Sequence, residues 1–254
     1  MIVEKIFIII VIFAGITPLA FGEVLIQNDQ KYIGDDGSLH IVGEIKNILE
    51  YQLNQINIHA TLLDENNYII QTKDASSLVN VIMPGMKGPF DLVLTNDVAK
   101  KTKSYSLKLD YKISSPKNQV IDIIESELSR DNYNNLMITG TVSNKGDITA
   151  NTVAVIATLY DKDGNVAAVS RVHLEPDYLG AESNTFFVIA IPDKIQTSEI
   201  NEYTLIAESE EYAAVPEFPV GTLVLLVGAL SVYIGITRYS GKITANLISA
   251  TNLK

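Results

Sequence analysis

IVGEIKN, residues Ile41–Asn47, and ITGTVSN, residues Ile138–Asn144, are two versions of one segment standing 97 residues apart. In each, an apolar or small residue takes every second place, a glycine stands third and an asparagine closes the run. A period of two is the signature of a strand with one buried face. The same shift lays Ala60-Thr61-Leu62-Leu63-Asp64 on Ala157-Thr158-Leu159-Tyr160-Asp161, Leu39 on Leu136, and Val24 and Ile26 on Ile121 and Ile123. Further on, Tyr105-Ser106-Leu107 meets Tyr203-Thr204-Leu205 at a shift of 98, which implies one inserted residue. Anchors that hold one offset over so long a stretch mark an internal duplication. A chain of 254 residues has room for two domains of roughly 100 residues each.

The alternation extends to neighbouring strands. Leu39, Ile41, Gly43 and Ile45 are expected to point inward while His40, Val42, Glu44 and Lys46 point away; Leu136, Ile138, Gly140 and Val142 repeat the inward row. Ile56, Ile58, Ala60 and Leu62 form the next row, mirrored by Val153, Val155, Ala157 and Leu159, and Tyr105, Leu107, Leu109 and Tyr111 form the last. Asp35-Asp36-Gly37, Asp64-Glu65-Asn66-Asn67, Asp161-Lys162-Asp163-Gly164-Asn165 and Pro84-Gly85 are turns built on residues that tolerate positive φ. About seven short antiparallel strands per ~90 residues predict a Greek-key sandwich. The expected fold is all-β: one β-sandwich over residues 23–113, a Ser114–Asn118 linker and a second β-sandwich over residues 119–212.

Ala157-Thr158-Leu159-Tyr160-Asp161 resembles the FxLYD motif that names a family of small, secreted, immunoglobulin-like prokaryotic domains, with Ala157 where the family has Phe. The first copy diverges further, with Ala60 for Phe and Leu63 for Tyr. Gly140 and Asn144, or Gly43 and Asn47, fit the same pattern, as does a Leu-Gly or Pro-Gly followed by Phe186 or Phe90. The resemblance implies an immunoglobulin-like fold and an exported location; it carries no reaction and no site residues.

The two ends read as membrane signals. MIVEKIFIIIVIFAGITPLAFG, residues 1–22, has a weakly basic start, an apolar Ile6–Ile16 core and small residues that place cleavage between Gly22 and Glu23. The other reading of this segment is an uncleaved N-terminal anchor. Val220–Ile236 holds 17 residues without a charge, which as a helix cover about 25 Å, so a transmembrane helix is expected over residues 220–237. Glu208, Glu210, Glu211 and Glu217 precede it, whereas residues 238–254 carry Arg238, Lys242 and Lys254 and no acidic side chain. The basic flank stays in the cytoplasm, which gives a single-pass type I protein with its body outside the cell membrane. Pro216-Glu217-Phe218 within the 213–219 juncture, the apolar run and Arg238 together resemble the PEF-CTERM and PEFG sorting signals of archaeal surface proteins. That resemblance implies an archaeosortase as processing partner and a lipid anchor in place of the helix; an ordinary retained span behind a Pro-bounded juncture is the other reading.

Composition narrows the chemistry. No cysteine is present, which excludes disulfides, zinc-thiolate sites, iron–sulfur clusters, blue copper and a thiol nucleophile. Of 30 acidic and 19 basic residues, Glu4, Lys5, Arg238, Lys242 and Lys254 lie outside Glu23–Glu217, leaving 29 and 15 and a net charge of −14. Such a surface repels phosphate backbones, so no nucleic-acid partner is expected. Asp161, Asp163 and Asn165 have the alternating oxygen ligands of a calcium loop, but the twelfth position is Val172 rather than a bidentate Glu, and a plain hairpin turn is the expectation. His40, His59 and His173 show no metal-pair spacing, and across the repeat His40 meets Met137 and His59 meets Ile156. No G-x-S-x-G elbow, phosphate-binding glycine loop or N-x-S/T sequon occurs. No cofactor and no catalysis are expected. The reading is an exported, membrane-anchored surface protein that is structural, adhesive or partner-binding, its partner a surface protein or glycan. An accessory subunit docking through a Gly221/Gly228/Gly235 helix face, or an extracellular hydrolase, are the alternatives.

Overall fold

The computed structural model describes residues 23–191, 200, 202–213, 215–216 and 231. The leader with Gly22, the Glu217-Phe218 part of the sorting motif, and Arg238 and Lys242 lie outside these residues, as does the apolar C-terminal run apart from Ser231. Among the described residues no helix is long and apolar enough to cross a membrane. The chain is all-β and divides into two units between Pro116 and Lys117, inside the stretch expected to link two domains.

In the first unit β1 (Val24–Ile33), β2 (Leu39–Asn47) and β6 (Lys87–Leu94) form one antiparallel sheet with β2 in the middle. A second sheet is centred on β3 (Leu53–Leu63), which pairs with β4 (Ile69–Ser76), the short β5 (Val81–Ile82) and β7 (Ser104–Ile113). The one helix of this unit, α1 (Asn96–Lys101), bridges β6 and β7. In the second unit β8 (Ile121–Arg130), β9 (Leu136–Asn144) and β14 (Asn184–Ile191) repeat the first sheet. β11 (Ala154–Tyr160) lies between β12 (Val166–His173) and β15 (Glu202–Glu208), with β16 (Val215–Pro216) beyond β15. β10 (Ala150–Asn151) and β13 (Tyr178–Leu179) pair with each other.

The duplication is structural, residue for residue. Gly43 pairs with Phe90 and Gly140 with Phe187, and at each glycine the phenyl ring fills the space a Cβ would need: the hypothetical atom would lie 2.8 Å from Phe90 and 2.7 Å from Phe187. Phe187 is therefore the equivalent of Phe90. Phe186, the residue read from the sequence, points outward and is 62% exposed. Leu62 pairs with Tyr105 and Leu159 with Tyr203, so the extra residue of the second copy enters between the glycine-facing Phe and these tyrosines.

Asn47 and Asn144 are fully buried and act as matched staples. The amide nitrogen of Asn47 donates to the carbonyls of Tyr51 (2.8 Å) and Ile82 (3.0 Å), while its oxygen accepts from the Leu49 amide (3.0 Å). Asn144 does the same with Ile148 (2.8 Å), Leu179 (3.0 Å) and Gly146 (2.9 Å), each shifted by 97, and its nitrogen also reaches the Gly180 carbonyl (3.2 Å). Each staple holds the loop after its own strand to the short strand across the unit.

One-sided alternation holds in β9, whose residues alternate buried and half-buried without a break. It fails in three places. Val42 and Glu44, expected to face away, are buried, Glu44 receiving Lys87 Nζ (2.8 Å) and Asn28 Nδ2 (3.2 Å). Ala154, Ile156, Thr158 and Tyr160 are buried along with the inward row of β11. The inward row of β7 ends at Leu109, since Tyr111 at the strand end is 40% exposed. The second unit also continues past Tyr212: the Ala213 amide donates to the Asn118 carbonyl (2.9 Å), and Val215 and Pro216 add a strand to its sheet.

Candidate functional site

A polar cluster of the first unit is centred on His40 of β2. His40 is flanked across the sheet by Tyr32 of β1, its register partner, whose ring stacks on the imidazole with centroids 4.8 Å apart and planes 5° from parallel. His40 Nδ1 lies 2.9 and 3.0 Å from the two carboxylate oxygens of Asp91 on β6. Nε2 lies 2.8 Å from Ser38 Oγ, which is 2.5 Å from Asp36 Oδ1 in the β1–β2 turn. Ser38, His40 and Asp91 are thus connected in the order of a hydrolase triad.

The hydrogen count runs against that chemistry. Asp36 already accepts the Ser38 amide (2.8 Å), and these two donations from Ser38, side chain first, hold its carboxyl below the usual range. An ionised carboxylate accepts only, so the single hydroxyl proton of Ser38 points to Asp36. The hydroxyl proton is then directed away from the His40 ring, whereas a general base must face the proton it removes. The Ser38 amide is taken by Asp36 and the Gly37 amide by the Gly34 carbonyl (2.9 Å), so neither is offered to an oxyanion, and Ser38 is only 4% exposed. The cluster ties the β1–β2 turn to β6.

The other residues singled out from the sequence fall elsewhere. His59 on β3 lies between Asp74 on β4 (Nδ1, 2.7 Å) and Asp110 on β7 (Nε2, 3.1 Å). The Asp74 bond, with a smaller contribution from Asp110, raises its pKa above the ordinary 6.5. The two carboxylates sit at opposite ends of the ring, so they do not converge on a point that a ring nitrogen also faces. His173 ends β12, exposed. Among the described residues no three His, Asp or Glu side chains are grouped to hold a metal ion.

Asp161 Oδ1 accepts the amides of Asp163 and Asn165, each at 2.9 Å, and Asn165 Nδ2 donates to Oδ2 at 3.3 Å. Burial tends to raise the Asp161 pKa, and the bonds from Asn165, Asp163 and Gly164 outweigh it, leaving the group below its ordinary value. Asp64 and Asp131 cap their own five-residue turns in the same way, with amide bonds of 2.8–2.9 Å, although neither turn has the D-x-D-x-N pattern. The Asp-capped turn is used three times, with Asn67, Asn134 and Gly164 at its positive-φ position. Glu23, at the expected cleavage point, accepts the Ile48 amide through its carbonyl (3.0 Å), and Pro216 lies in β16.

The first unit also presents a shallow hollow lined by Gln71, Lys73, Val93, Leu94, Thr95, Asp97 and Val98, between β4, the end of β6 and α1. On the neighbouring β3–β4 turn Tyr68 and Ile69 are 72% and 68% exposed; the equivalent of Ile69 in the second unit, Val166, is fully buried. Sequence reasoning missed the His40 cluster because it is assembled by register: Asp91 is 51 residues from His40, and only the β2–β6 pairing brings it there. The i, i+2 spacing of Ser38 and His40 on one face was the one local signal.

No protein-family model matches the chain, and no curated protein matches it. Solved structures that align with it include red sea bream transglutaminase (9% identity, TM-score 0.25) and the Amycolatopsis orientalis exo-chitosanase CsxA (10%, 0.29). A calcium-binding mutant of Bacteroides uniformis beta-glucuronidase 2 also aligns (13%, 0.27). These alignments cover 77%, 77% and 76% of this chain and 30%, 26% and 27% of those proteins, so the chain spans about a third or less of each. Likeness at this level bears on neither activity nor site.

Proposed function

We propose that the chain is an exported cell-surface protein without catalytic activity, built of two immunoglobulin-like domains of the FxLYD type and held as a single-pass type I protein by its C-terminal apolar segment. It acts by binding a partner through sheet edges and turn tips. One observation carries the binding part of this reading: polar groups that resemble a reaction centre are consumed in joining strands, while Tyr68 and Ile69 stand exposed where the second copy buries its counterpart. An exposed apolar pair on a hairpin turn, on a body of net charge −14, suits an adhesive contact made outside a cell. The acidic flank before Val220 and the basic one after Ile236 support the orientation, and the Pro216-Glu217-Phe218 resemblance supports an archaeosortase or an equivalent lipid-anchoring step as the alternative to a retained helix.

Protease treatment of intact cells carrying the full chain with a tag after Lys254 tests this reading. The body should be degraded and the tagged tail protected, or the tail should be absent and the intact mass should end near Pro216–Pro219 with a lipid attached. A body protected from protease, or a chain released by a high-salt wash with its tail intact, overturns it.

A further inference from the structure

We infer that β14 of the second unit is a self-pairing edge through which two copies of this chain associate. β14 is the outermost strand of its sheet, paired only with β9. The bond from the Asn144 amide to the Ser183 carbonyl (2.9 Å) fixes which residues face β9, so the N–H and C=O groups of Asn184, Phe186, Val188 and Ala190 face away from it. Among the described residues no hydrogen bond is made to the outward backbone groups of Phe186 or Val188. Their side chains stand on the outer face, 62% and 40% exposed.

The first unit shows what a protected version of this strand looks like. At the shift of 97, Lys87, Pro89 and Asp91 stand where β14 has Asn184, Phe186 and Val188. Pro89 has no N–H to offer and its carbonyl already accepts the Leu78 amide (2.8 Å); Lys87 and Asp91 make the strand charged, their side chains bonded to Glu44 and His40 of β2. Charge and proline are the usual devices that keep an edge strand from pairing with another chain. The second copy lacks all three.

The occupant follows from charge. Among the described residues, every other edge strand longer than two residues carries charged side chains: Asp29 and Lys31 in β1, Lys73 and Asp74 in β4, Lys87 and Asp91 in β6, Lys108 and Asp110 in β7, Glu125 and Glu127 in β8, and Arg171 in β12. The one edge of a second copy that offers neither charge nor proline is β14 itself. Antiparallel self-pairing is isologous, so it closes at two copies, and it sets Phe186 and Val188 of each copy beside those of the other. The sheets join as one of six strands, β8-β9-β14 and its mirror. Glu125 and Glu127 then lie five strand spacings, about 24 Å, from their counterparts, well beyond a Debye length of ~8 Å, so the acidic bodies do not oppose the contact through them.

The inference draws on the partner-binding part of the proposed function but not on the membrane location, and its test is independent of protease protection. Sedimentation of the full chain in detergent, across the micromolar range, should show a reversible dimer. The variant Phe186→Pro/Val188→Asp, which copies the guarded edge, should weaken it roughly tenfold or more with unchanged circular dichroism and melting. Because the chain has no cysteine, single substitutions report proximity cleanly: Phe186→Cys or Val188→Cys should form an oxidative crosslink between copies, and Val93→Cys on the guarded strand should not. A wild-type chain that stays monomeric, a dimer that survives the double variant, or crosslinking equal at Val93 each overturns the proposal.

Discussion

His59 stands between two carboxylates, one at each ring nitrogen, and that arrangement has a pH signature. Its pKa is raised by the Asp74 bond and, behind it, by Asp110. A raised folded-state pKa means that the folded chain binds the proton more tightly than the unfolded one. The stabilisation is therefore complete below the unfolded value near 6.5 and is lost as pH climbs through the folded value. The melting temperature of the wild type should exceed that of His59→Gln most at pH values below 6.5, the gap closing at higher pH, and the ring should titrate above 6.5 by NMR. A ring that titrates at or below 6.5 would sink the arrangement. Asp36 works in the opposite sense: its lowered pKa gives stability that is present above the unfolded value and lost in acid. Neither partnership was legible in the chain. His59 reads as unrelated to the repeat because the second copy has Ile156 there, and Asp74 and Asp110 reach the ring only through the pairing of three strands.

The elements were legible where a residue answers to its own strand. Gly43 and Gly140 mark the rows on which a phenyl ring lies, and the closing asparagine of each segment marks the staple. What the asparagine bonds to was not legible, since Ile82 and Leu179 lie 35 residues downstream. The alternation in β11 misled for a related reason: Ala154, Ile156, Thr158 and Tyr160 form an uncharged second row, and such a row can be buried as readily as the first. The staple carries a definite cost if cut. Asn144→Ala removes the side-chain partner of the buried bond to the Leu179 carbonyl, the part-buried one to Ile148 and the buried one from the Gly146 amide, which should lower the stability of the second unit by about 3–5 kcal/mol. Asn47→Ala should do the same to the first. Denaturant unfolding followed by a probe in each unit measures this; a loss under about 1 kcal/mol would mean that water replaces the side chain at little cost.

For the whole molecule, the repeat is legible because duplication is a property of the string itself, and the chain divides into two compact units between Pro116 and Lys117. The end of the second unit was placed too early. Val215 and Pro216 look like a spacer before the apolar run, yet they hydrogen-bond along β15 and finish the sheet. Two residues carry too little periodicity to announce a strand, and proline at an edge position removes no bond the sheet needs.

That short strand decides how the body would bear a load. If the chain is tethered through residues beyond Pro216, tension enters the fold at β16, whose hold is two residue pairs, Ile206 with Pro216 and Ala207 with Val215. The central ladders of the same sheet have seven. We predict that optical-tweezer pulling from the C-terminus gives a small, low-force extension before the main rupture, as β16 peels away and the rest of the unit keeps its shape; a single rupture with no earlier step would refute this. The tether would then have a built-in slack, and shear on the cell would be absorbed first by two residues at the rim.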